Sequence, residues 1–336
     1  MMKKTLYCFD VRSFERPYLQ NSLSEASLPL EFKLLPYRLQ KDTLGLIEKG
    51  NNIISTFVSD DLSQPILKSL KEKGVGSIHL RCAGFNHVDL RACKQLEIPV
   101  TRVPSYSPES VAEYTLCLIL NLSRKLHKAY HRTREGDFTL DGLVGTCLHS
   151  KTIGIIGVGQ IGEKLAQLLS GFGCRILGHD PRPKDHLKKW VQYVPLEELL
   201  EKSQIVSLHL PLSEQSFHII NEQTIAKMPI GAFLINTGRG ALVESRALIK
   251  SLKSGHLGGA ALDVYEEEER YFSQDFSDKI IQDDILARLL TFPNTIVTSH
   301  QGYLTEQALE AIAATTTQNI VQWLNGESLT NEVHFS

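Results

Sequence analysis

Along the first hundred residues, short apolar runs alternate with amphipathic stretches. Residues 5–9, 53–57 and 77–80 read as strands bounded by polar residues or glycine. Residues 65–73, between the last two, read as a helix, with Pro65 suited to its first turn. Such β–α alternation predicts a parallel sheet with helices packed on its faces.

A boundary falls at Pro104-Ser105-Tyr106-Ser107-Pro108. Ser107 suits an N-cap and Pro108 a first helical position. One long helix is expected over 109–134. Its first half is apolar (Val111, Ala112, Leu116, Leu118, Ile119, Leu120), so it should be buried, and its second half is basic. A second β–α series then begins. Strands are expected at 151–156, 175–179, 204–208, 231–235, 258–262 and 295–298, with helices between them, for example at 161–169 and 244–254. A last helix over 305–324 leaves too little chain for a domain of its own, so it should return to the first domain. No repeat of fixed period is seen.

The 336 residues suggest about two domains. With 36 basic and 38 acidic residues the net charge is −2, which offers no general attraction to nucleic acid or to an anionic membrane. The 42% hydrophobic and 22% charged composition is that of a folded globular chain. No apolar stretch is long enough for a membrane span. Asp10, Arg12 and Glu15 interrupt any signal-peptide core after Lys3 and Lys4, so a cytoplasmic protein is expected. Cys8, Cys82, Cys93, Cys117, Cys147 and Cys174 lie far apart, without a CxxC, and read as reduced thiols.

Gly157-Val158-Gly159-Gln160-Ile161-Gly162 fits GxGxxG between a predicted strand and a predicted helix. The first glycine permits the tight turn, the second lets backbone approach a pyrophosphate, and the third lets helix and strand pack closely. The helix N-terminus then offers free N–H groups to phosphate. Asp180 closes the next strand, 18 residues beyond Gly162. A carboxylate there can accept from ribose hydroxyls and repel a 2′-phosphate, which favours NAD, although nearby Arg182 could soften that preference.

Three later strands end in polar segments: Asn236-Thr237-Gly238-Arg239-Gly240, Asp263-Val264-Tyr265-Glu266-Glu267-Glu268 and Ser299-His300-Gln301-Gly302. Ligands of open α/β sheets bind outside the carboxyl ends of the strands, so all three point to the cofactor crevice. With these motifs the chain resembles the D-2-hydroxyacid dehydrogenase family over most of its length. Its likeness is greatest to the fermentative D-lactate dehydrogenases, carried by Leu80-Arg81-Cys82-Ala83-Gly84-Phe85-Asn86, Val103-Pro104-Ser105-Tyr106-Ser107-Pro108 and Ile281-Gln282-Asp283-Asp284.

The resemblance implies two doubly wound parallel-sheet α/β domains of Rossmann or flavodoxin-like type. The NAD domain (105–300) is inserted into a discontinuous substrate domain (1–104 and 301–336), with hinges near 104 and 301 that close over substrate. It implies reversible hydride transfer between NADH and pyruvate, with catalytic Arg239, Glu268 and His300. His300 would be the general acid and base, Glu268 would favour its imidazolium form, and Arg239 would hold the substrate carboxylate. Cofactor contacts are implied for Gly157, Gly159, Gln160, Ile161, Gly162, Asp180, His209, Pro211, Thr237, Gly238 and Asp263. Substrate contacts are implied for Ala83, Gly84, Tyr106, Arg239 and Tyr303. The acid is placed five residues after Asp263, at Glu268. The acidic run by itself leaves Glu267 and Glu269 as rivals, since such runs are usually solvated. Tyr303 stands where relatives often carry Phe, and its hydroxyl would narrow or polarise the pocket, so pyruvate is not assured; a larger 2-oxo acid is the alternative substrate. The family is commonly homodimeric, which is expected here. It also contains NAD-sensing corepressors, but the chain has no long disordered tail to suit a docking hub. An inert dinucleotide-binding module would need no catalytic trio.

Other features are set aside. His127 and His131 have a metal-ligand spacing, but Arg124, Lys125, Lys128, Arg132 and Arg134 oppose a cation, and no metal is expected. The same basic run reads as a subunit contact or a face near an anion rather than a nucleic-acid site. Cys82 lacks a base beside it and reads as packing, as do Trp190 and Trp323.

Overall fold

The computed structural model of the protein describes residues 4–272 and 274–334. The chain forms two units, Met1–Ser107 with Leu304–Ser336, and Pro108–Tyr303. The divisions fall three residues beyond the expected 104/105 and 300/301. Val103 N donates to Cys82 O (3.2 Å), which keeps the approach to the helix with the first unit. The backbone N–H groups of Gln301 and Gly302 are bound by Asp263, which keeps that turn with the second.

The first unit has a parallel sheet of β1 (Lys4–Cys8), β2 (Leu30–Leu34), β3 (Asn52–Thr56), β4 (Val75–Leu80) and β5 (Val100–Thr101). Its order, β2-β1-β3-β4-β5, is the flavodoxin-like one. Period-two alternation sorts its side chains between two cores. Tyr7, Ile54, Ile78 and Leu80 pack with Leu67, Leu70 and Ala92. Leu6, Cys8 and Ile53 pack on the other face with Leu19, Leu23 and Ile320. Ile320 belongs to the final helix, Glu306–Asn325, which Thr305 caps through Ala308 N and Gly326 ends in the left-handed region.

The second unit has a seven-stranded parallel sheet of β6 (Thr152–Ile156), β7 (Arg175–His179), β8 (Val191–Tyr193), β9 (Ile205–Leu208), β10 (Ala232–Asn236), β11 (Leu257–Leu262) and β12 (Thr295–Val297). The order β12-β11-β10-β9-β6-β7-β8 is doubly wound, and its direction reverses between β6 and β9. Alternation again divides two cores. Ile153, Ile155, Ile205 and Ile235 face Leu165 and Leu169. Ile156, Val206, Leu208 and Leu234 face Leu199, Leu248 and Leu252.

The single helix expected over 109–134 is two helices, Pro108–Arg124 and Leu126–Arg134. Lys125 separates them at φ 54°. The first buries Ala112, Leu118, Ile119 and Leu122, whereas the second buries no residue. Three short strands, β2, β5 and β8, were not expected. Each lies at a sheet edge, and β2 is only half-buried. Among the described residues, no helix is long and apolar enough to cross a membrane.

Candidate active site

The glycine-rich turn joins β6 to the helix Gln160–Ser170, and its three glycines have different grounds. Gly157 has φ +90°, and a Cβ there would come within 2.7 Å of the His209 carbonyl. A Cβ on Gly162 would strike the Gly157 carbonyl oxygen, so helix and turn touch directly. A Cβ on Gly159 would meet no atom beyond its chain neighbours within 4 Å, which leaves the space a phosphate requires beside the helix N-terminus. Gln160 is exposed and Ile161 half-buried.

Asp180 ties this turn to the end of β7. Its Oδ2 accepts from Val158 N and its Oδ1 from Arg182 N, both at 2.8 Å. Four lone-pair positions minus these two leave capacity for a ribose diol. His209, at the end of β9, shares a 2.8 Å hydrogen bond between Nε2 and Ser207 Oγ. Its Nδ1 is buried with no partner among the described residues. Loss of solvation pushes its pKa down to about 4, so the ring is neutral. An orphaned nitrogen on the segment beside the glycine-rich turn, together with the open space at Gly159, fits a bound dinucleotide. Pro211, in the same loop, is exposed, and its carbonyl accepts from Ser216 Oγ at 2.7 Å.

Beyond β10, Asn236 braces the next turn. Its Nδ2 donates to Arg239 O (2.9 Å) and its Oδ1 accepts from Gly238 N (3.0 Å). Thr237 is buried, with its hydroxyl 2.9 Å from Thr115 Oγ1. Because Thr115 donates to Val111 O, Thr237 is the donor in that pair. Arg239 is half-buried, and one of its terminal nitrogens donates to Gly238 O (2.8 Å).

β11 and β12 supply the rest. Asp263 is buried; its Oδ1 accepts from Thr298 Oγ1 (2.7 Å) and Gln301 N (2.9 Å), and its Oδ2 from Gly302 N (2.7 Å). Its carbonyl accepts from His300 N at 2.7 Å. His300 is thereby held on both sides, at φ 53°, in the left-handed region that most side chains avoid. Its Nδ1 lies 2.7 Å from Glu268 Oε1, and Glu268 Oε2 accepts from Tyr265 N at 2.8 Å. Glu268, not Glu267 or Glu269, is the acid placed on His300. Glu267 instead approaches Arg270 at 3.6 Å.

Opposing influences act on the His300 ring. Loss of solvation lowers its pKa, and so does the Arg239 charge. The Glu268 hydrogen bond and the Glu268 and Asp263 charges raise it, and they win, so the ring titrates above the ordinary imidazole value. Its side chain is 32% exposed, and Nε2 makes no hydrogen bond to protein among the described residues. A partly protonated donor therefore faces outward.

The remaining candidates lie in the first unit, apart from Tyr303, which closes the second and is half-buried. Ala83 and Gly84 follow β4. Ala83 O accepts from an Arg102 terminal nitrogen (2.8 Å) and Gly84 O from Cys82 Sγ (3.1 Å), so Cys82 is buried and braces its own loop. Tyr106 is half-buried. His127 is engaged by Asn121 Oδ1, which accepts from His127 N at 2.9 Å. The supporting roles of Asn236, Thr298 and Thr115 were not foreseen. For Asn236, the strand-to-turn position was the available signal.

A doubly wound parallel sheet with a glycine-rich turn at its switch point defines a dinucleotide-binding α/β protein. Comparison with known proteins narrows this. Residues 116–302 match the family model for the D-isomer specific 2-hydroxyacid dehydrogenase NAD binding domain. A D-lactate dehydrogenase of Curvularia clavata is 45% identical over 334 residues, covering 98% of this chain and 94% of the relative. The D-lactate dehydrogenase of Escherichia coli (strain K12) is 41% identical over 329 residues, covering 98% and 99%. The structure of D-lactate dehydrogenase from Aquifex aeolicus complexed with NAD and lactic acid superposes with a TM-score of 0.86 at 32% identity, covering 99% of each chain. The chain belongs to the D-2-hydroxyacid dehydrogenase family, whose members are NAD-dependent oxidoreductases.

Proposed function

We propose that this chain is an NAD-dependent D-lactate dehydrogenase that interconverts pyruvate and D-lactate. The observation that carries this reading is the 2.7 Å pairing of His300, past β12, with Glu268, past β11, where β11 also neighbours β10, the strand that leads to Arg239. Gly157, Gly159, Gly162 and Asp180 would hold the pyrophosphate and ribose. Gln160, Ile161, His209, Pro211, Thr237 and Gly238 complete the cofactor site on this reading. Asp263 keeps one Oδ2 lone pair free for the nicotinamide amide. NADH, when bound, supplies the hydride to C2.

The chain's own residues do the rest. Arg239 offers a planar fork of donors to the substrate carboxylate and polarises the adjacent carbonyl. His300, with Nδ1 engaged by Glu268, gives its Nε2 proton to the carbonyl oxygen. In the reverse direction the neutral ring takes the hydroxyl proton from the same side. Backbone N–H groups of Ala83 and Gly84 help hold the carboxylate, and Tyr106 and Tyr303 set the length of side chain accepted. The Tyr303 hydroxyl narrows or polarises the pocket on this reading, and a larger 2-oxo acid is the rival substrate to test.

The experiment is to mix purified protein with NADH and pyruvate, 2-oxobutyrate, 2-oxoisocaproate or phenylpyruvate, and to follow absorbance. The expected result is fastest oxidation with pyruvate and a D-configured product in a chiral assay. No absorbance loss with any of the four would refute the enzyme reading. We further infer a cytoplasmic homodimer. Six cysteines with no disulfide among them suit a reducing compartment. Exposed Leu126, Tyr130, Phe138, Leu140 and Val144 crowd one segment of the NAD unit and suit a subunit contact. Light scattering after gel filtration tests the dimer, and a monomeric mass would exclude it.

A further inference from the structure

The acidic run Glu266–Glu269 is read from sequence as a solvated face, yet Glu266 is engaged at both carboxylate oxygens. Oε1 lies 2.7 Å from His218 Nε2, and Oε2 accepts from Ser245 Oγ at 2.9 Å. These partners come from two distant segments. His218 has φ 50°, its ring stacks on Phe217 at 3.9 Å, and its N–H donates to Ala241 O at 2.9 Å. Ser245 opens the helix Ser245–Ser254. Both partners therefore border the turn that carries Arg239. Gly240 in that turn lies so close to the Tyr265 carbonyl and Glu266 N that any Cβ would strike them. On the other side of Glu266, Tyr265 N is the donor that fixes Glu268 Oε2. Tyr265 is itself anchored through its hydroxyl to Asp283 Oδ2 at 2.7 Å.

We propose that Glu266, clamped by His218 and Ser245, is a positioning residue that locks the Arg239 turn and the Glu268 segment in one register. The assignment rests on the proposed roles of Arg239, Glu268 and His300, and it adds the element that keeps them aligned. A second histidine–glutamate pair thus stands behind the first, and its task is geometric. Among the described residues no hydrogen bond or ion pair joins the His218 or Glu266 side chain to His300 or to Glu268. The charged groups acting on the His300 ring are Glu268, Asp263 and Arg239.

The test compares Glu266→Ala with Glu266→Gln. A Gln side chain can still accept from His218 and donate to Ser245 Oγ, so it keeps the clamp while losing the charge. In Glu266→Ala, kcat/KM for pyruvate is expected to fall roughly 10- to 100-fold, the cost of about an ångström of misplacement. KM should rise through Arg239. The His300 ring titration, followed by NMR in cofactor-free protein, should move down toward the ordinary imidazole value as Glu268 loosens. Glu266→Gln should restore both. Equal effects in the two variants would mean that the charge acts directly, and would overturn the proposal. An unmoved His300 titration in Glu266→Ala, whatever happens to its melting temperature, would overturn it as well. If Glu266→Ala does not fold, His218→Ala removes one arm of the clamp and must move the same titration. The NMR measurement needs no substrate, so it remains decisive even if the wild-type protein ignores pyruvate.

Discussion

His79 and His300 lie in two parallel sheets, His79 within β4 and His300 just past β12. His79 is completely buried, and its two nitrogens meet hydroxyls, Ser77 Oγ at 3.0 Å and Thr101 Oγ1 at 2.8 Å. Burial pushes its pKa down to about 3. His300 keeps a third of its surface and meets a carboxylate, and its pKa is raised. The identity of the partner, more than the fold position, separates a neutral packing histidine from an acid–base candidate. The wider surroundings repeat the contrast. Just past β4, Arg81 is fully buried against Glu15, Ser55 Oγ and Phe9 O, with every neighbour inside the protein. Among the described residues the Arg239 side chain bonds only to the carbonyl beside it, and it stays half-buried, so its remaining donors are available.

The largest break in this comparison should come from the exposed side. His300→Ala and Arg239→Ala are each expected to lower kcat/KM for pyruvate by roughly 10²–10⁴-fold, the usual worth of a positioned acid or anchor. NADH affinity, measured by fluorescence titration, should hardly change. Loss of NADH binding in both variants would assign them to structure instead.

The buried cation should show the opposite phenotype. Arg81→Met strands Glu15 without its counter-charge and should cost about 3–5 kcal/mol of stability. The urea midpoint should fall accordingly, with m unchanged. The double variant Arg81→Met/Glu15→Leu should recover most of that loss. Whatever fraction remains folded should keep its turnover per folded molecule. A loss of turnover without a loss of stability would make Arg81 functional.

Glu268→Gln sharpens the His300 side. On the proposed mechanism pyruvate reduction draws on a protonated His300, so its rate should fall as pH rises through the raised pKa, while lactate oxidation gains. Without the Glu268 charge that pKa should drop toward the ordinary imidazole value. The pH at which reduction halves should move down with it. A profile that does not move would detach Glu268 from the proton.

The same contrast explains what can be read from the sequence. Interior strands such as β6 and β9 are apolar runs because both faces are buried, and GxGxxG is local because one turn meets one ligand. Edge strands leave weaker marks: β5 has two residues and β8 three. The break at Lys125 follows Arg124 with no glycine or proline, so nothing local announces its positive φ. Glu268 stands among four consecutive glutamates, and only the tertiary fold decides that Glu266 turns to His218 and Glu268 to His300. Arg81 is visible as one basic residue after an apolar strand, but its partner Glu15 is 66 residues away.

The smallest expected effect tests the buried histidine. His79 titrates far below its unfolded value. As pH falls below about 6.5, the unfolded chain takes up a proton that the native ring refuses, and stability is lost toward pH 3. His79→Gln has no such ring. The stability difference between wild type and variant should therefore change by about 1 kcal/mol between pH 6.5 and 5.5, in the variant's favour on acidification. Wild-type stability alone will not reveal this. Burial pushes the Asp60 carboxyl up to about 7 against the pull of its Phe57 and Leu39 backbone bonds, so the native state takes up a proton there first and gains stability over the same range. The two buried groups oppose each other, and the subtraction between proteins isolates His79. A difference that stays flat with pH would mean that the native ring does take up its proton, and that His79 is not the closed counterpart of His300.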